Sequence, residues 1–102
     1  MVRSFALLAV LMTATPLLAH EIGAEAKVKG NEVVVEVFYD DGTVGRDVIV
    51  TATDSAAKEI AKGKTDAKGL WKFPLPAPGK YTLLIDGGPG HKTKISVTVP
   101  TK

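Results

Sequence analysis

The sequence predicts an all-β protein, a seven-stranded antiparallel β-sandwich, and three observations point there. Apolar residues alternate with polar ones at period two through most of residues 24 to 99. The alternating runs are rich in Val, Ile and Thr and are punctuated by Gly, Pro and Asp. Seven such runs fit within about 80 residues, the spacing of a small sandwich rather than of a helical or α/β domain.

The runs follow in order. Ala24, Ala26 and Val28 share one face of a first strand, with Glu25, Lys27 and Lys29 on the other. Gly30-Asn31 turns the chain, and Val33, Val35, Val37 and Tyr39 then point inward against Glu32, Glu36 and Phe38. Asp40-Asp41-Gly42 breaks this second strand, and Asp47 to Thr53 forms a β-branched third. Ser55 to Lys62 has helix-forming composition, with Asp54 as a cap and Gly63 as a stop. A helix there would bury only Ile60 and small alanines, so a turn at Ser55 to Lys58 and a strand at Glu59 to Lys64 are expected instead.

Thr65 to Gly69 reads as a turn in which Asp66 bonds nearby backbone and Gly69 takes positive φ. Leu70 to Leu75 makes a fifth strand presenting Trp71 and Phe73 on one face. Pro76-Ala77-Pro78-Gly79 bends the chain, Lys80 to Asp86 is the sixth strand, and Thr93 to Val99 is the seventh. The expected core comprises Val33, Val35, Val37, Val50, Leu83, Ile85, Ile95 and Val97.

Residues 1 to 19 read as a signal peptide: Arg3 in front, an apolar run from Ser4 to Met12, then Leu17-Leu18-Ala19. Cleavage after Ala19 leaves residues 20 to 102 as a single domain, periplasmic or secreted, with no membrane span. Ala24-Glu25-Ala26 is a rival cleavage site behind the charged Glu21. A lipid anchor would need Cys where this chain has His20.

The chain carries 13 Lys and Arg against 11 Asp and Glu, and Arg3 is the only charge in the leader. That thin excess lacks the concentrated basic stripe of a nucleic-acid binder. With no cysteine, disulfides, thiolate metal sites and thiol nucleophiles are excluded, and packing alone must hold the domain.

Two histidines are the main chemical resource. Cleavage after Ala19 would give His20 an α-amine beside its ring, and His91 would add a third nitrogen, with Asp86 or Glu21 supplying oxygen. Such sets suit Cu(II) or Ni(II), and zinc is compatible with them. The other reading of these two residues is that His20 is a frayed terminus and His91 an exposed loop residue. Gly87-Gly88-Pro89-Gly90 lacks the following helix of a phosphate cradle, and Asp40-Asp41-Gly42 lacks the further ligands of an EF-hand. Ser55 and Ser96 have no histidine near them in sequence, so a binding role is expected rather than catalysis.

Thr65-Asp66-Ala67-Lys68-Gly69-Leu70-Trp71-Lys72-Phe73, followed by Pro78-Gly79-Lys80-Tyr81-Thr82-Leu83, resembles the core motif of carboxypeptidase-regulatory-like domains. That resemblance implies a prealbumin-like (transthyretin-like) sandwich of Greek-key type. Ile85-Asp86-Gly87-Gly88-Pro89-Gly90-His91, with Tyr39-Asp40-Asp41-Gly42, is similar to small periplasmic components of bacterial nickel and cobalt uptake systems. Those usually carry a membrane segment near the C-terminus, where this chain has Val99-Pro100-Thr101-Lys102. The likeness implies Ni(II), Co(II) or Cu(II) as cargo and a membrane transporter component as partner. The other reading is a structural or adhesive cell-envelope module, without metal, using a sheet face or edge as its contact surface; an exposed Trp71–Phe38 patch would favour it. Histidine loops gathered at one end of the sandwich would favour metal handling.

Overall fold

The protein is described by a computed structural model over residues 21–101. Residues 1 to 20, including the expected leader and His20, lie outside the described residues, as does Lys102. Seven strands run in order: β1 (Ile22–Lys29), β2 (Glu32–Tyr39), β3 (Ile49–Thr53), β4 (Glu59–Lys64), β5 (Leu70–Pro74), β6 (Gly79–Asp86) and β7 (Lys92–Val99). All pairings are antiparallel, and no helix occurs among the described residues. No helix there is long and apolar enough to cross a membrane.

The strands divide into two sheets, β1-β2-β5 and β4-β3-β6-β7. Their facing sides bury the alternating aliphatics. Val33, Val35 and Val37 of β2 meet Val50 and Ala52 of β3 and Leu83 and Ile85 of β6 in one cluster. Burying a residue of this kind contributes roughly 1.5–3 kcal/mol.

Several details depart from the periodicity. The first strand begins two residues before Ala24, and Ile22 joins the core. Val28, on the apolar face of the first strand, is 37% exposed, because it lies near the end of an edge strand beside the Gly30-Asn31 turn. The third strand is shorter than Asp47 to Thr53: Asp47 sits at φ 55°, outside the extended region, although Val48 is still buried. Ile95, expected in the core, is only half-buried, since β7 is an edge strand with no neighbour beyond it.

The turns follow their residues. Gly30 takes φ 60° at the first of two turn positions, the place a II′ hairpin reserves for glycine. The Asp54 and Asp66 turns share one bonding scheme. The Asp54 carboxylate accepts the N–H groups of Ala56 and Lys58, both at 2.9 Å. The Asp66 carboxylate accepts those of Lys68 and Leu70, at 2.8 and 3.0 Å. In each, a residue three positions on takes positive φ: Ala57 at 64° and Gly69 at 78°.

Two further ties hold the loops. The buried Thr65 hydroxyl donates to the Gly45 carbonyl and accepts the Val48 N–H at 2.9 Å. At the start of β6, the Tyr81 hydroxyl donates to the Ala77 carbonyl at 2.6 Å, pinning the Pro76–Pro78 bend. That device resembles the tyrosine corner of sandwich domains.

Candidate functional site

The antiparallel order brings the start of β1, the end of β2 and the β6–β7 loop to one end of the sandwich. Pairing of Ile22 with Tyr39 seats the N-terminal side of the described chain beside the Asp40-Asp41-Gly42 turn. That turn is tight: the Gly42 N–H donates to the Tyr39 carbonyl, and the Tyr39 N–H to that of Thr43. The Asp41 carboxylate accepts both the N–H and the hydroxyl of Thr43, at 3.0 and 2.7 Å. The Asp40 N–H donates to the Glu21 carbonyl at 2.9 Å, so Glu21 is stitched to the same turn.

The β6–β7 loop closes on itself. The Gly87 N–H donates to the His91 carbonyl at 2.7 Å, and the His91 N–H to that of Gly88 at 2.9 Å. The Asp86 carboxylate accepts the Gly88 N–H at 2.9 Å. This places the half-buried His91 ring edge-on to Tyr39, with centroids 5.6 Å apart and planes at 86°. Gly87 is what lets them meet. A side chain there would stand 2.9 Å from the Tyr39 hydroxyl, 3.0 Å from Ile22 and 3.4 Å from the His91 Cβ.

An open depression of about 310 Å³ lies at this end, lined by Glu21, Ile22, Gly90, Lys92 and Thr93. Glu21, the residue after His20, thus shares a surface hollow with the residues flanking His91. Asp86 is turned elsewhere: it lines a hollow with Asp47, Ile49, Lys64 and Lys92 on the outer side of β6. Of the four expected ligands, Glu21 and His91 lie at one corner, Asp86 faces another hollow, and His20 is outside the described residues. Among the described residues no three His, Asp or Glu side chains gather as a metal-holding group.

Tyr39 faces inward as the period-two pattern expects and packs against the core, and its half-buried ring also forms a wall for His91, a role the alternation does not announce. The Tyr-Asp-Asp-Gly turn was the available signal for its place at the strand's end.

A larger hollow, of about 510 Å³, is lined by Asp66, Lys68, Leu70, Trp71 and Lys72 and shares no lining residue with the one beside Gly90 and Lys92. Trp71 stacks on Phe73 (centroids 5.0 Å apart, planes at 26°) and faces inward, opposite Val35. Phe38 follows the buried Val37 and points outward over Gly23. The two aromatics therefore lie on opposite faces of their sheet and form no shared patch. Comparison with family models, with curated proteins and with solved structures finds no match for this chain.

Proposed function

We propose that this chain is an exported sandwich of prealbumin-like type that handles a divalent metal at the end bearing His91. The observation that carries the reading is the hollow shared by Glu21 with Gly90 and Lys92. Covalent geometry keeps the Cα of His20 about 3.8 Å from that of Glu21. A leader cut after Ala19 would therefore free an amine and an imidazole close to the loop that holds His91. Two imidazoles and an amine form a nitrogen set suited to Cu(II) or Ni(II), and the Glu21 carboxylate can complete it.

Asp86 is the weaker fourth donor, because its carboxylate already accepts the Gly88 N–H. Tyr39 would act through His91, holding the ring edge-on so that less side-chain freedom is lost on binding. Trp71 and Phe38 lie on opposite faces of their sheet, so the one patch that would have favoured a structural or adhesive module does not support that reading.

The test is a metal titration of the processed protein, its N-terminus established by intact mass. One Cu(II) or Ni(II) should bind per chain. Acetylating the α-amine should weaken binding as much as His91→Ala does, because a chelate draws its strength from donors held together. Binding as tight in His91→Ala as in the parent overturns the reading.

A further inference from the structure

We infer that the outer face of the β4-β3-β6-β7 sheet is a docking surface for anionic phospholipid bilayers. The two outer faces of the sandwich differ in charge. On the β1-β2-β5 side, Glu25, Glu32 and Glu36 stand among Lys27, Lys29 and Lys72, a balanced set in which Lys72 reaches Glu32 at 3.9 Å. On the other side, the burial of Leu83 and Ile85 turns their neighbours outward. Exposed Lys62 and Lys64 on β4, Lys80 on β6, and Lys92 and Lys94 on β7 fall on that face. Three acids oppose the five lysines: Asp86, Glu59 at the bulged start of β4, and Asp47, which shares a hollow with Lys64 and Lys92.

The arrangement is a frame. Register places Lys62, Thr51, Leu84 and Lys94 in one row, and Lys64, Ile49, Asp86 and Lys92 in the next. Four of the five lysines thus line the two edge strands, about 14 Å apart at the usual strand spacing. The two lysines on each edge are about 7 Å apart, within a Debye length at physiological salt, so their fields reinforce each other. Between the edges, Leu84 is 42% exposed, with Ile49 half-buried near it.

A flat lysine frame around an apolar centre fits a bilayer surface better than a discrete anion. Lysine is a point charge on a flexible stem, able to keep its ammonium among headgroups while Leu84 seats between them. The face has no arginine fork for bidentate phosphate and no aromatic ring on which bases could stack. Each lysine near an anionic leaflet contributes about 1 kcal/mol, or about fivefold in affinity. The face shares Lys92 and Asp86 with the proposed metal-handling end, so the test uses Lys62 and Lys94, which line neither hollow there.

Co-sedimentation of the full chain with vesicles tests it, comparing phosphatidylglycerol–phosphatidylcholine mixtures with phosphatidylcholine alone. Lys62→Gln/Lys94→Gln is compared with Lys27→Gln/Lys72→Gln, an equal charge change on the opposite face. All three proteins share the same N-terminal segment, so its own partitioning cancels, and far-UV spectra confirm that each is folded. The parent should prefer anionic vesicles, and added salt should erase the preference. The first pair should weaken anionic binding by about 25-fold and the second by less than about threefold. Equal losses from both pairs, or no preference for anionic vesicles, overturn the inference. So does a soluble polyanion such as polyglutamate binding with the same lysine dependence where vesicles do not bind, which would reassign the face to an acidic macromolecule.

Discussion

The Trp71 indole lies directly against the backbone of Gly63, so that a strand of one sheet caps an edge strand of the other. Gly63 pairs with the buried Val50, on the inner side of β4, and the missing side chain makes room for the ring. A β-carbon at position 63 would overlap the indole nitrogen and come within 2.8 Å of Cε2. Gly63→Ala should therefore cost about 1–3 kcal/mol in urea denaturation, the usual penalty for overpacking. Adding Trp71→Leu should recover part of that loss, since the two changes share one contact. Additive losses in the double variant would show that the contact does not govern the packing there.

The matched turns at Asp54 and Asp66 make opposite predictions for a single methyl group. Ala57 sits at φ 64°, where a β-carbon is strained, so Ala57→Gly should stabilise by up to about 1 kcal/mol despite its freer unfolded chain. Gly69→Ala should destabilise by more than that. Gly69 has φ 78°, and a β-carbon there would lie 2.7 Å from the Val37 carbonyl oxygen. Thermal unfolding of both variants checks the pair.

Thr65→Val keeps the shape of a buried side chain while removing its hydroxyl. The Val48 N–H loses its hydroxyl acceptor and the Gly45 carbonyl its hydroxyl donor, a loss of about 1–3 kcal/mol. Thr65→Ser retains both bonds and should cost less. A larger loss for Thr65→Ser than for Thr65→Val, which keeps the methyl, would place Thr65's contribution in its methyl group.

Asp66 should shape the acid limb of stability. N–H groups donated by Leu70 and then Lys68 hold its carboxyl below the usual aspartate range, aided by the Lys68 charge and opposed by slight desolvation. The stability this contributes is present in full above the unfolded aspartate pKa of about 3.9. It is lost as pH falls through the lower folded value, because the unfolded chain takes up the proton first. Asp66→Asn should flatten the decline seen by denaturant titration across acidic pH. An unchanged acid limb would remove Asp66 from the account.

Processing should begin the mature chain at His20. Cleavage after Ala26 would delete five of the eight residues of β1, including the buried Ile22. A chain starting at Lys27 should therefore expose the edge of β2 and resist folding. N-terminal sequencing of the exported protein distinguishes the two starts, and a well-folded product beginning at Lys27 would contradict the role given to β1.

The sequence by itself determined the strands and their turns. Period-two alternation is a local property, and Val35-Glu36-Val37 or Tyr81-Thr82-Leu83 announces which side faces inward without reference to any partner. The turn at Asp54 is equally local, because an aspartate carboxylate finds its N–H donors two and four residues ahead. It therefore displaced the helix that the alanines of Ser55 to Lys62 also allowed. Only the tertiary structure decided that β5 joins β1 and β2 rather than its neighbour β6. The same long-range choice set Trp71 on Gly63, buried the Thr65 hydroxyl and left Ile95 and Val28 at edges. His91 and Glu21 were legible as residue types able to bind metal, whereas the edge-on Tyr39 wall and the glycine at 87 that admits it were not. Such contacts join residues about 50 positions apart along the chain. Alternation carries no information about partners at that range, and pairing register and loop closure supply it.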